Sequence, residues 1–386
     1  MWTDRSRAFV FGSTLVDLAL SGLVGFKKNL NLNPHSMKAT YKKYTLNFKV
    51  PSGTSRGVMT QKETWFIIIK SERGFGIGEC GILRGLSVDD RPDFQEKLQW
   101  TCANIHLDKE ELLNQLKEFP SIQFGLEQAL LSLQSTDPFE LFASDFTQKE
   151  SPIPINGLIW MGDTDYMLKQ LEQKLKDGFG CIKMKIGAID FEKEISILKS
   201  IRERFSPEDI ELRVDANGAF EPKEAQEKLE RLAQFKIHSI EQPIKTGQWE
   251  EMANLCESTP LPIALDEELI GVFDVTEKKK LLQTIQPQYI ILKPSLVGGI
   301  GGSKEWITLA ENDNIDWWIT SALESNIGLN AIAQFTYSLN TKMPQGLGTG
   351  SLFTNNIDSP LKVFEGKLFY RRTRTWNMDL IQEICT

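Results

Sequence analysis

The sequence predicts an α/β protein: a closed barrel of alternating strands and helices, preceded by a smaller α+β unit. Three observations carry this. From residue 152 onward, short apolar segments recur with amphipathic stretches between them. Eight such steps over about 200 residues suit a closed barrel better than an open sheet. The C-terminal ends of five consecutive segments are charged, in phase with one another, and the preceding region lacks this rhythm.

The elements follow in order. "YTLNFKV" (44–50) and "KETWFIIIKS" (62–71) are rich in aromatic and β-branched residues and read as strands. "ERGFGIGECG" (72–81) carries four glycines and reads as a tight turn followed by a mobile loop. Helical patterns follow at 107–118 and 124–135. The barrel strands read as 154–160, 181–187, 211–217, 238–243, 261–267, 289–295, 316–322 and 345–350. Between them lie stretches such as "FEKEISILKSIRERF" with a helical period. "KVFEGKLFYRRT" (362–373) reads as one or two strands returning to the N-terminal unit.

Bulk properties exclude several classes. The net charge of −8 and pI near 5.3 argue against a nucleic-acid partner, which would need a basic surface. Five scattered cysteines in no CxxC pattern argue against a disulfide framework or zinc site and suit a reducing cytoplasm. Residues 9–26 are apolar and follow Arg5 and Arg7, as in a secretory signal. Asp17 interrupts the run, no A-x-A cleavage site follows, and it is short and broken for a membrane span. Residues 1–36 therefore read as an extension, with the protein proper beginning near Met37.

The strand ends hold the chemistry. They read Lys183-Met-Lys185, Asp215-Ala-Asn217, Glu241-Gln-Pro, Asp266-Glu267 and Lys293-Pro-Ser295. Singly, each has an ordinary explanation: a solvated strand face, an Asx turn, a strand stop before proline, or acids opening a helix. Jointly they place acids on three neighbouring strands with lysines on either side. Converging carboxylates repel unless a cation neutralises them. Oxygen donors without Cys or His favour a hard divalent ion, Mg²⁺ first. Such an ion stabilises a developing enolate as a Lewis acid. On one strand face, Lys183 can tune Lys185 toward a usable general base and hold a substrate carboxylate.

The array K-x-K, "RVDANGAF", "IEQP", "ALDEE" and "LKPS" followed by "GGIGG" resembles the enolase superfamily, in its muconate-lactonizing subgroup. The resemblance covers about Met37 to the C-terminus. It implies a modified (β/α)7β TIM-type barrel over 152–357. It also implies an α+β capping domain formed by 37–150 with the C-terminal tail, about 358–386. Carried over by position, Asp215, Glu241 and Asp266 would bind Mg²⁺, with Mn²⁺ as a substitute. Lys185 would be the base, and Lys293 would face the opposite side of the substrate. Lys183, Arg213 and Ser321 would contact substrate, Ser321 with neighbouring N–H groups at a succinyl carboxylate, while Asn217 and Glu267 would support the cluster. "GECGILRGLS" (78–87) resembles the loop that closes over substrate.

Within the subgroup the array is most like the hydro-lyase of menaquinone biosynthesis. The resemblance thus implies dehydration of 2-succinyl-6-hydroxy-2,4-cyclohexadiene-1-carboxylate through an enediolate. An N-succinylamino acid racemase and a cycloisomerase are the alternatives within the subgroup. A non-catalytic metal-binding barrel is the alternative outside it; loss of Lys185 or an acid would have marked that, and all are present. His238 is the one histidine in the barrel region and starts a strand, which excludes a His base at strand seven. The last strand lacks the Asp-x-Asp of dipeptide epimerases. The expected partner is a small carboxylate substrate, with no nucleic acid and no membrane; a homo-oligomer is compatible with the sequence.

Overall fold

The computed structural model describes residues 36–54, 57–72 and 74–386. The extension expected over 1–36 lies, but for Ser36, outside the described residues.

Strands β1 (Lys38–Thr54), β2 (Gly57–Ser71) and β3 (Gly74–Gly81) form an antiparallel sheet in that order. Helices α1 (Phe94–Ala103), α2 (Lys109–Gln115), α3 (Pro120–Gln134) and α4 (Asp145–Gln148) follow. The tight turn expected at the start of 72–81 is present at Glu72, between β2 and β3, whereas the expected mobile loop is corrected, because 74–81 is β3. Its glycines serve helix packing: a Cβ at Gly78 would stand 1.9 Å from the Gly125 carbonyl oxygen, and one at Gly125 2.2 Å from Cys80 Sγ. Backbone-to-backbone approach of α3 to β3 excludes side chains there. Helix α1 escaped the sequence reading, its apolar residues being too sparse to show a period.

After β4 (Ile153–Pro154), strands and helices alternate. They are β5 (Gly157–Ile159), α5 (Thr164–Lys176), β6 (Cys181–Lys185), α6 (Phe191–Arg204), β7 (Glu211–Asp215), α7 (Pro222–Ala233), β8 (Ser239–Glu241) and α8 (Trp249–Ser258). Then come β9 (Ile263–Leu265), α9 (Val275–Ile285), β10 (Tyr289–Leu292), α10 (Gly299–Asn312), β11 (Asp316–Ile319) and α11 (Asn326–Ser338). Strands β5 to β11 form one curled parallel sheet in chain order. Each helix buries one stripe against it, as α7 does with Ala225, Leu229 and Leu232. Segment 345–346 meets both margins of the sheet. Gln345 N donates to Pro154 O (2.9 Å) and Gly346 N to Ile319 O (2.8 Å). Asn156 N and Ser321 N donate back to the Gln345 and Gly346 carbonyls at 3.0 Å.

The strands are shorter than the apolar segments in the sequence, because residues past the ladder turn out of it. Asn217 and Gln242 take positive φ, 45° and 40°. That conformation strains most side chains but suits Asn, and strain of this kind gathers at sites.

Strands β12 (Leu361–Phe364) and β13 (Lys367–Tyr370) form a hairpin. This segment returns to the N-terminal unit, as expected, through Tyr370 on Phe146 and Arg371 on Glu150, while its strand β13 pairs with β4, whose free edge it covers. Helix α12 (Met378–Cys385), absent from the sequence reading, returns as well. Its Ile381 and Ile384 pack with Phe66, Ile68 and Ile77 of the first sheet. Among the described residues, no helix is long and apolar enough to cross a membrane.

One buried acid holds the turn after β6. Glu194 accepts from Gly187 N at 2.6 Å, and burial pushes its carboxyl up to about 7. The folded state then binds this proton more tightly than the unfolded chain, so stability is present at low pH and falls as pH rises from about 4.5 to 7. Between pH 5 and 8, Glu194 should cost the wild type up to about 3 kcal/mol. Glu194→Gln should lose most of that pH dependence in urea unfolding. Equal slopes for the two proteins would refute this origin.

Candidate active site

The parallel register brings the predicted residues together. Lys185 lies opposite Asp215, and Asp215 opposite Glu241. Asp266 follows β9 and Lys293 follows β10. The acids are buried, at 1%, 3% and 2% exposure for Asp215, Glu241 and Asp266. Lys183 Nζ lies 2.9 Å from Asp215 Oδ2 and also pairs with Glu241. Lys185 Nζ donates to Asp215 Oδ2 (2.9 Å) and Asn217 Oδ1 (2.6 Å). Lys293 pairs with Asp266. Asn217 accepts from Lys185 through Oδ1, caps Asp215 through its own N–H (3.0 Å) and donates Nδ2 to Glu267 Oε1 (2.9 Å).

The electrostatics follow from burial and mutual charge. Burial would raise Asp215, but the Lys183 and Lys185 ammoniums hold it well below the usual carboxylate range. Burial and the Asp215 charge push Glu241 well up, against the pull of Lys183. Burial and Asp266 likewise raise Glu267. Burial would lower Lys183 and Lys293, but the surrounding acids outweigh it and raise both. Four carboxylates facing three ammoniums leave an excess of negative charge, which a divalent cation would relieve.

Among the described residues, no three Asp, Glu, His or Cys side chains stand close enough together to share one ion. The carboxylates pair with ammoniums instead: Lys183 bridges Asp215 and Glu241, and Lys293 holds Asp266. The donor chemistry, oxygen only and net negative, fits a hard divalent ion.

A cavity of about 530 Å³ opens onto this cluster. Lys183, Lys185, Asp215, Asn217, Glu267 and Lys293 line its polar side, and Val58, Met59, Leu83, Trp160 and Leu323 its apolar side. Ser321 also lines it, with its hydroxyl 2.6 Å from Thr349 Oγ1. Arg213 is elsewhere. Two residues before Asp215, its side chain is 2% exposed, donates to Glu211 (2.7 Å) and the Pro344 carbonyl (3.0 Å), and stacks on Trp318 at 4.3 Å. It braces the inside of the sheet and does not line the cavity.

Sequence reasoning missed Gln242. Its Oε1 accepts from Asp266 N and Glu268 N, both at 3.3 Å, and its Nε2 donates to Glu268 (3.0 Å) and the Ile244 carbonyl (3.1 Å). It locks the ends of β8 and β9 together. Its place between Glu241 and Pro243 was the available signal.

Comparisons with known proteins place the chain in a family. The family described as enolase C-terminal domain-like matches residues 166–369. The o-succinylbenzoate synthase of Desulfotalea psychrophila is 47% identical over 363 residues, covering 86% of this chain and 98% of that protein. The crystal structure of MenC from Desulfotalea psychrophila superposes with a TM-score of 0.77 at 44% identity, covering 86% of this chain and 99% of that one. Muconate lactonizing enzyme from Pseudomonas fluorescens, complexed with muconolactone, superposes with a TM-score of 0.78 over 90% of this chain and 99% of that one. At 20% identity this last likeness is one of fold alone. Family match, full-length relative and strand-end array coincide: the chain belongs to the enolase C-terminal domain-like family.

Proposed function

We propose that the protein is an o-succinylbenzoate synthase, a hydro-lyase that dehydrates 2-succinyl-6-hydroxy-2,4-cyclohexadiene-1-carboxylate in menaquinone biosynthesis. The observation that carries the reaction, beyond the fold, is the 47% identity along 98% of an o-succinylbenzoate synthase. The sheet and segment 345–346 read together as a modified (β/α)7β barrel over 152–357, capped by 37–150 with 358–386. Five free cysteines suit a reducing compartment.

The chain's own residues account for the chemistry. Asp215, Glu241 and Asp266 would hold Mg²⁺, which when bound supplies Lewis-acid charge beside the ring carboxylate. Lys185 removes the proton α to that carboxylate, breaking the C–H bond. Negative charge gathers on the carboxylate oxygens, and Lys293, four strands along with the three acid-bearing strands between, faces it as a cation. The electron pair returns to the ring as the C–O bond breaks. Lys185 passes its proton to the departing hydroxide, so water leaves and the ring becomes aromatic. The apolar wall of Met59, Leu83 and Trp160 excludes solvent from this step.

A racemase of N-succinylamino acids is the second reading, favoured by the pairing of lysines on two sides of one site. An assay with Mg²⁺ separates them, offering the cyclohexadiene substrate and, in D₂O, N-succinyl amino acids. Dehydration without α-deuterium exchange is expected. Exchange at a comparable rate would favour the racemase, and neither activity would sink the proposal.

A further inference from the structure

A buried lysine outside the acid cluster is left over by this mechanism. Lys62, on β2, lines the same cavity as Lys185 and Lys293. It is 4% exposed, and among the described residues its Nζ has no hydrogen-bond partner. A buried ammonium carries three donors and is costly to leave unsatisfied. Lys183, Lys185 and Lys293 each hold a carboxylate; Lys62 holds none.

Two buried acids lie near Lys62, Glu79 and Glu324; the Lys62 charge acts on Glu324, but neither acid hydrogen-bonds it, and both accept from other donors. Glu79 accepts from Thr64 Oγ1, Ser325 N and Gly328 N at 2.9 Å, and from Ser325 Oγ at 2.5 Å. Glu324 accepts from Ser295 Oγ (2.6 Å) and Ala322 N (2.7 Å). A Cβ at Gly81 would meet Lys62 Nζ at 2.5 Å, so glycine is what lets the ammonium lie against β3. The other cations at the cavity rim are committed: Arg84 pairs with Glu63 and Asp90, and Lys174 lies over the Phe179 ring at 5.1 Å.

We propose that Lys62 is a specificity-determining residue that binds the distal carboxylate of a dicarboxylate substrate, the group farthest from the acid cluster. This rests on the proposed reaction, whose substrate carries one carboxylate on the ring and a second on the succinyl tail. The ring carboxylate goes to the lysines and acids of the strand ends. The tail then needs a cation that no protein acid hydrogen-bonds, and Lys62 is placed for it, on a strand that lines the same cavity as Ser321 and Ala322. A substrate with an uncharged tail would leave the ammonium unpaired, which gives the site selectivity as well as affinity.

The test uses the full chain with Mg²⁺ and calorimetric titration of two probes, o-succinylbenzoate and its tail amide. Lys62→Met keeps the stem and removes the charge. It should weaken o-succinylbenzoate binding about 10–100-fold, the worth of a charged hydrogen bond, and leave the amide unchanged. Lys62→Arg should restore most of the affinity. Gly81→Ala, which displaces the ammonium without removing it, should show the same loss for the acid alone and serves if Lys62→Met fails to fold. Equal weakening of both probes, no weakening of either, or the acid-specific loss appearing in Lys174→Met instead would overturn the assignment. Wild type that shows the Lys62 signature but does not dehydrate would sink the reaction and keep this site. Wild type that dehydrates while Lys62→Met binds normally would sink this site alone.

Discussion

Lys185→Ala should lower kcat for dehydration by about 10²–10⁴-fold, the range that a positioned general base supplies. Lys185 Nζ sits 2.9 Å from Asp215 and 2.6 Å from Asn217, at the cavity wall and 12% exposed, where as a neutral amine it can take a substrate α-proton. The fold should survive the change. Asp215 keeps Lys183 at 2.9 Å, so no buried carboxylate is left unpaired. Circular dichroism and thermal unfolding should therefore match the wild type while turnover is lost. The variant should also lose any deuterium exchange at the α-position, because the same proton transfer underlies both. Activity within tenfold of wild type would remove Lys185 from the role of base.

Glu241→Gln should abolish Mg²⁺-dependent activity, by about 10³-fold or more, and weaken Mg²⁺ binding measured by calorimetry. Glu241 is the middle acid, on β8 between β7 and β9. Burial and the Asp215 charge push its carboxyl well up, although Lys183 opposes this. In protein without metal the ionised group is thus strained by its neighbours. Replacing it with an amide of the same shape removes that repulsion and leaves Lys183 paired with Asp215. Stability without metal should accordingly be unchanged or higher, while added Mg²⁺ should no longer stabilise the protein. Loss of stability without metal, together with retained Mg²⁺ binding, would show that Glu241 is a structural partner of Lys183 and not a metal ligand.

The strand-end chemistry was legible because a parallel strand in such a sheet is short, apolar and followed at once by its functional residue. Lys185, Asp215, Glu241, Asp266 and Lys293 all stand at such boundaries, and registry between neighbouring strands brings them to one end of the sheet. Arg213 shared a strand with Asp215 and so looked like a member of the cluster. Two residues back along the strand it lies on the same face but one layer deeper, against Trp318. The mobile loop expected after the turn at Glu72 failed for a different reason. Glycine marks both a turn and a close backbone approach, and only the position of α3 decides between them.

By itself the sequence determined the alternation of strands and helices, the charged strand ends, and the oxygen-only donor set with two flanking lysines. These are local properties: each depends on the order of a few residues and the two-residue period of a strand. Only the tertiary structure decided which groups meet. It turned the carboxylates toward lysines, paired the C-terminal hairpin with β4, returned α12 to the first sheet, and buried Lys62 beside the cavity with no partner. Lys62 and Lys293 are separated by more than two hundred residues and line one cavity. No local pattern encodes that distance; packing of the first sheet against the strand ends does.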